Sequence, residues 1–213
     1  MPKIYLNVAS RAELKNIANL KEGLELANIF NSLLFITRYL TKLNEEAESL
    51  TKDRDLIQGA ILLASFLHEG IDKSNSIFKK LNEKLKAEFK SSLAWTNDEI
   101  KDNKSFYNIV LKSIRNNLGF HFPKAVNLDS VCARLTTFPI PFLIGEGDYF
   151  ISGSFPILDN FNIDFIRKLN IELTGKNNSE YEIISKILDY SNKFYNVIFQ
   201  VLRSLFENKL KPS

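Results

Sequence analysis

The sequence holds one cysteine and two histidines among 213 residues. A single Cys excludes an internal disulfide, and one Cys with two His excludes a Cys/His zinc cluster built from one chain. Cys132 reads as a small, reduced, buried hydrophobe. Glycine and proline are also scarce, 8 and 6 residues, and four of the six prolines fall between Pro123 and Pro156. Long uninterrupted helices are expected on either side of that zone. Neither charge sign dominates. Lys+Arg 28 against Asp+Glu 25 leaves +3, which excludes a strongly basic nucleic-acid coat but not a local basic patch. Apolar runs are short or broken. Leu24 to Ile36 is interrupted by Glu25, Asn28 and Asn31, and Ala60 to Leu67 is too short to cross a bilayer. Met1 to Ser10 has no apolar run of signal-peptide length, so the expectation is a cytoplasmic protein without a membrane segment.

What is present is a globular composition, 45% hydrophobic and 25% charged, with enough chain for one domain over residues 1–213 and a substantial core. Leu26, Phe30, Leu33, Leu34 and Leu40 lie close to helical spacing, in a region opened by the capping-box form Ser10-Arg-Ala-Glu13. A second helical region begins near Asp53 and carries Leu56, Ile57, Ala60, Ile61, Ala64 and Leu67. It is expected to stop at Gly70 and resume through Ile71, Ser74, Phe78, Leu81, Leu85 and Phe89. Thr96-Asn-Asp-Glu99 reads as a further capping box, opening a helix with Phe106, Ile109, Val110, Ile114 and Leu118 that ends before Pro123. Residues 137–156 read as a small inserted β-hairpin around Gly145-Glu-Gly147. A short helix at Ile163 to Leu169 is followed by a long one capped by Ser179-Glu-Tyr-Glu182. The predicted class is all-α, a helical bundle of four to five main helices with that hairpin as its excursion.

The segment with most chemical content is Ser113-Ile-Arg-Asn-Asn-Leu-Gly-Phe-His-Phe-Pro123. Arg115 is followed at once by Asn116, and His121 comes six residues after the Arg at the end of a core-forming helix. Over six residues a regular helix rises about 9 Å and turns about 600°, leaving His121 roughly 120° away from Arg115. Gly119 and Pro123 loosen the last turn, so the imidazole can swing toward the same cleft. A planar guanidinium suits a phosphate, and an imidazole titrates near neutrality.

This stretch resembles the Arg-x(4–6)-His signature of the HEPN family (higher eukaryotes and prokaryotes nucleotide-binding domains), in the form with a polar residue directly after the Arg. The resemblance implies an all-α bundle and a metal-independent endoribonuclease needing no cofactor. It also implies a homodimer that pairs two motifs, and in many members a toxin or antiphage role beside a nucleotidyltransferase-type antitoxin. On this chain Arg115 would stabilise charge on the scissile phosphate of an RNA. His121 would exchange a proton with the ribose 2′-OH or the leaving 5′-oxygen, and Asn116 would hold the histidine tautomer or donate to the phosphate. One imidazole cannot easily serve as both acid and base, which a two-fold dimer would remedy. Lys112 and Lys124 are candidates for guiding the RNA backbone, and Glu69 for an auxiliary polar group at the cleft. The competing reading is a non-catalytic helical module that binds a nucleotide or a partner, with Arg115 in a surface ion pair and His121 capping its helix.

Other patterns carry less. His68-Glu-Gly-Ile-Asp72 begins like the zinc-protease His-Glu-x-x-His but ends in Asp, so the second ligand is missing and His68 reads as a surface or boundary residue. Gly145-Glu-Gly147 lacks a third Gly, and Thr174-Gly-Lys176 lacks the upstream Gly of a P-loop. Phe120 and Phe122 read mainly as core packing.

Overall fold

The computed structural model describes residues 18–45, 52–118, 143–145, 152–154, 156–175 and 180–206. Of the interpretable residues 90% are helical, so the class is all-α. The helices are α1 (Leu20–Glu45), α2 (Lys52–Phe78), α3 (Glu83–Glu88), α4 (Lys90–Lys101), a π-helical segment (Tyr107–Leu111) running directly into α5 (Lys112–Asn117), α6 (Pro156–Thr174) and α7 (Glu180–Phe206). No described helix is long and apolar enough to cross a membrane.

The apolar spacing of the sequence becomes the contact faces. Leu26, Leu33 and Leu40 recur every seven residues and are all buried on α1. They join Leu63, Leu67 and Ile71 of α2 and Phe194, Ile198 and Val201 of α7 in one cluster. Close approaches at Gly59 to Leu40 and at Gly70 to Ile29 make α1 and α2 antiparallel. The Phe30–Tyr195 stack, 4.1 Å between centroids, and Gly23 against Leu205 and Phe206 do the same for α1 and α7.

Three boundaries differ from the sequence expectation. Helix α2 runs straight through Gly70. A Cβ there would stand 3.1 Å from Ile29 Cγ2 and 3.4 Å from the Phe194 ring, so the glycine serves close helix packing and does not end a helix. Thr96 is not a cap. It is buried within α4, where its hydroxyl donates to the Leu93 carbonyl. The break comes later, at Asp102 to Ser105. Ser105 Oγ donates to Glu99 O at 2.6 Å and accepts the Asn108 amide at 3.2 Å. The Asn108 side chain reaches back to the carbonyls of Glu99, Ile100 and Asp102, satisfying the orphan acceptors at the end of α4.

The helix expected at Ile163 to Leu169 is longer than predicted and starts at Pro156, where a missing N–H costs nothing. The excursion expected at 137–156 lies mostly outside the described residues. Within it Leu143–Gly145 (β1) pairs antiparallel with Ser152–Ser154 (β2), Ile144 opposite Gly153, while the connection that would make these a hairpin is not described. Ser10 to Glu13, Ser179, Cys132, Phe120 and Phe122 also lie outside the described residues.

Candidate functional site

Between Phe106 and Leu118 the backbone carries the information that places the site. The Lys112 amide donates to the Tyr107 carbonyl, five residues back, which widens one turn. Such turns shift every later side chain around the helix and are frequent at functional sites. Tyr107, before the shift, is buried against α2, while Lys112 and Arg115, after it, are brought to the same part of α2. Val110, Leu111 and Ile114 hold the segment in the core.

Helix α2 presents His68, Glu69 and Asp72 to this segment, and positions three and four apart share a helix face. Arg115 Nε donates to Glu69 Oε1 at 2.7 Å, and Arg115 Nη1 donates to Asn116 Oδ1 at 3.0 Å. A guanidinium has five N–H donors. One goes to Glu69 and one to Asn116, so the plane is fixed and its remaining donors are available to a ligand. The pair is only partly shielded, with 29% of the Arg115 side chain and 50% of the Glu69 side chain exposed.

Behind this pair, the His68 ring stacks on Tyr107 with centroids 4.8 Å apart and planes 12° from parallel. The histidine side chain is 12% exposed, and its Nδ1 lies 3.8 Å from the Glu69 oxygen that holds Arg115. That nitrogen is enclosed and has no hydrogen-bond partner. Burial is the main influence on the ring and lowers its proton affinity below the usual 6.5. Asp72 and Glu69 oppose the shift, while Arg115 and Lys112 add to it. Burial first, then the charge of the neighbouring Asp72 carboxylate, hold the Tyr107 phenol firmly protonated.

Of the residues expected at a site, Glu69, Arg115 and Asn116 are therefore in direct contact, and Lys112 is close enough to act on the His68 ring. Asn116 binds the arginine through Oδ1, leaving its NH₂ group as a donor. His121 and Lys124 lie outside the described residues. Sequence reasoning passed over His68 and Tyr107. His68 and Asp72 stand one turn apart on a largely apolar helix, a signal for a polar contact that is masked when the stretch is read only as a failed zinc motif. Tyr107 had no such signal, because its position depends on the widened turn. Among the described residues no group of three or more His, Cys, Asp or Glu is placed to hold a metal ion.

No family model, curated protein or solved structure matches the chain.

Proposed function

We propose that the Arg115 cluster is the phosphate-handling centre of a HEPN-like, metal-independent endoribonuclease. The observation that carries the reading is the clamped guanidinium. Glu69 and Asn116 fix its plane at a partly exposed position, and its remaining N–H donors form the fork that matches phosphate oxygens. Arginine held in advance costs little reorganisation when charge builds on a phosphorane, which is how a transition state is stabilised more than its ground state.

In this reaction the 2′-oxygen attacks the adjacent phosphorus and the P–O5′ bond breaks, giving a 2′,3′-cyclic phosphate and a 5′-hydroxyl. Arg115 neutralises the nonbridging oxygens, the Asn116 amide donates to one of them, and Lys112 attracts the neighbouring backbone. His121 moves a proton at the reacting oxygens. A net +3 per chain is small for holding RNA, so a homodimer that doubles the basic residues of the cleft belongs to the same reading.

The second reading, a helical module without catalysis, draws on the same ion pair. Arg115–Glu69 joins α5 to α2, and a partly exposed pair can serve simply as a tie between helices. Incubating the purified chain with single-stranded RNA in EDTA, beside His121→Ala, separates the two. The ribonuclease reading expects cleavage by the native chain and none by the variant. Equal cleavage by both, or none by either across several buffers and RNAs, overturns it in favour of the binding module.

A further inference from the structure

We propose that His68 is a second proton-transfer group of the Arg115 site, acting from the same chain as the general base that takes the 2′-OH proton. The proposal rests on the ribonuclease reading above and adds a residue to it. Its ground is geometric. His68 Nδ1 and Arg115 Nε stand on the same carboxylate oxygen of Glu69, at 3.8 and 2.7 Å, so the imidazole and the clamped guanidinium belong to one cluster. The ring is braced by the near-parallel stack on Tyr107, and Tyr107 is itself buried in the core.

The two ring nitrogens are not equivalent. Nδ1 is enclosed, with the Glu69 carboxylate 3.8 Å away and beyond hydrogen-bond reach, and that negative charge favours the tautomer with the proton on Nδ1. Nε2 then has the lone pair and is the nitrogen through which the ring can exchange a proton with a substrate. A base must be neutral at working pH, and burial keeps this ring neutral more readily than a free histidine. The charged and titratable groups facing it are Glu69 and Asp72 from α2, Tyr107 from the π segment, and Lys112 and Arg115 from α5. With opposing signs on the two sides, no single charge overrides the effect of burial.

Proton and bond changes balance with two imidazoles. The 2′-O–H proton passes to His68 Nε2 as the 2′-O–P bond forms. The P–O5′ bond breaks, and the departing oxygen takes a proton from His121. With His121 as the acid of the reading above, the base then need not come from a second subunit.

The test compares native chain, His68→Gln and His121→Ala on RNA in EDTA between pH 4.5 and 9, with affinity for a non-cleavable 2′-O-methyl RNA measured beside it. His68→Gln should cleave about 100-fold more slowly or worse, with affinity within about twofold, and the acidic limb of the native pH–rate profile should vanish. If His68→Gln keeps that limb and a rate within about threefold of native while His121→Ala is inactive, the role of His68 is overturned and the ribonuclease reading stands.

A titration of the native chain followed by histidine ring NMR, with adenosine 3′-monophosphate as probe, needs neither cleavage nor a folded variant. The proposal expects bound phosphate to raise the proton affinity of His68. An unmoved His68 titration with the nucleotide bound overturns it. A native chain that leaves RNA intact overturns the ribonuclease reading and, with it, the assignment of His68 as a base.

Discussion

Helix α2 has two working faces that differ in almost every physical respect. One carries Leu63, Leu67 and Ile71, all fully buried, and packs on α1 and α7 chiefly through apolar contact, with one Lys73–Glu25 ion pair at its rim. The other carries His68, Glu69 and Asp72 and meets the π segment and α5 through a ring stack and an ion pair, with the Asp72 carboxylate near the Tyr107 phenol. Apolar burial is worth about 1.5–3 kcal/mol per large side chain, whereas a partly exposed ion pair is worth about 0–1 kcal/mol. Stability therefore belongs to the first face. The second face spends polar groups at a site where they add little to folding, which is what a site held ready for a ligand looks like energetically.

The contrast is broken most directly from the apolar side. Phe194→Ala, which empties the space beside Gly70, should cost about 3–5 kcal/mol of unfolding free energy in a denaturant titration. Gly70→Val tests the same contact by overfilling it and should cost about 1–3 kcal/mol; a neutral outcome would mean that α1 and α2 are not held at the spacing described. On the polar side, Glu69→Gln should change stability by no more than about 1 kcal/mol, yet slow RNA cleavage roughly tenfold by leaving the Arg115 plane unclamped. Restored cleavage in Glu69→Asp would show that the carboxylate acts by holding the arginine.

Two smaller effects sharpen the comparison. Tyr107→Leu keeps an apolar side chain in the core but removes the stack on His68, for a loss of about 0.5–1.5 kcal/mol by thermal or chemical unfolding. For His68, burial lowers the folded proton affinity below the unfolded value of 6.5. The unfolded chain then binds more protons as the pH falls below 6.5, so stability falls with it until the folded ring also protonates. Above pH 6.5 the contribution is constant. Subtracting the stability–pH curve of His68→Gln from that of the native chain should leave this slope and nothing above neutrality.

How much of this was legible in the sequence follows the same division. The seven-residue recurrence of Leu26, Leu33 and Leu40 announces a helix face without reference to anything distant, and the all-α class with it. Gly70 was misread because its role is set by Ile29 and Phe194 on other helices, which no local pattern contains. Thr96-Asn-Asp-Glu99 has the form of a cap but lies inside α4. The real stop depends on Asn108 folding back over three carbonyls, and a side-chain clamp of that kind has no short signature. Arg115, Asn116 and Lys112 were readable because they are close in sequence. Glu69 was named only as a polar neighbour, and its partner stands 46 positions away. His68 and Tyr107 were missed because their meeting requires the five-residue hydrogen bond at Tyr107, which rotates the later residues off the 3.6-residue period assumed in reading the sequence.

The central claim is that the clamped arginine exists for chemistry and not for the fold. Arg115→Ala, measured for unfolding free energy and for RNA cleavage in EDTA on one preparation, tests it in a single experiment. The account predicts a stability loss of no more than about 1 kcal/mol together with a fall in cleavage of about 10²–10³-fold. A variant that cleaves RNA at the native rate, or one destabilised as heavily as Phe194→Ala, would contradict it.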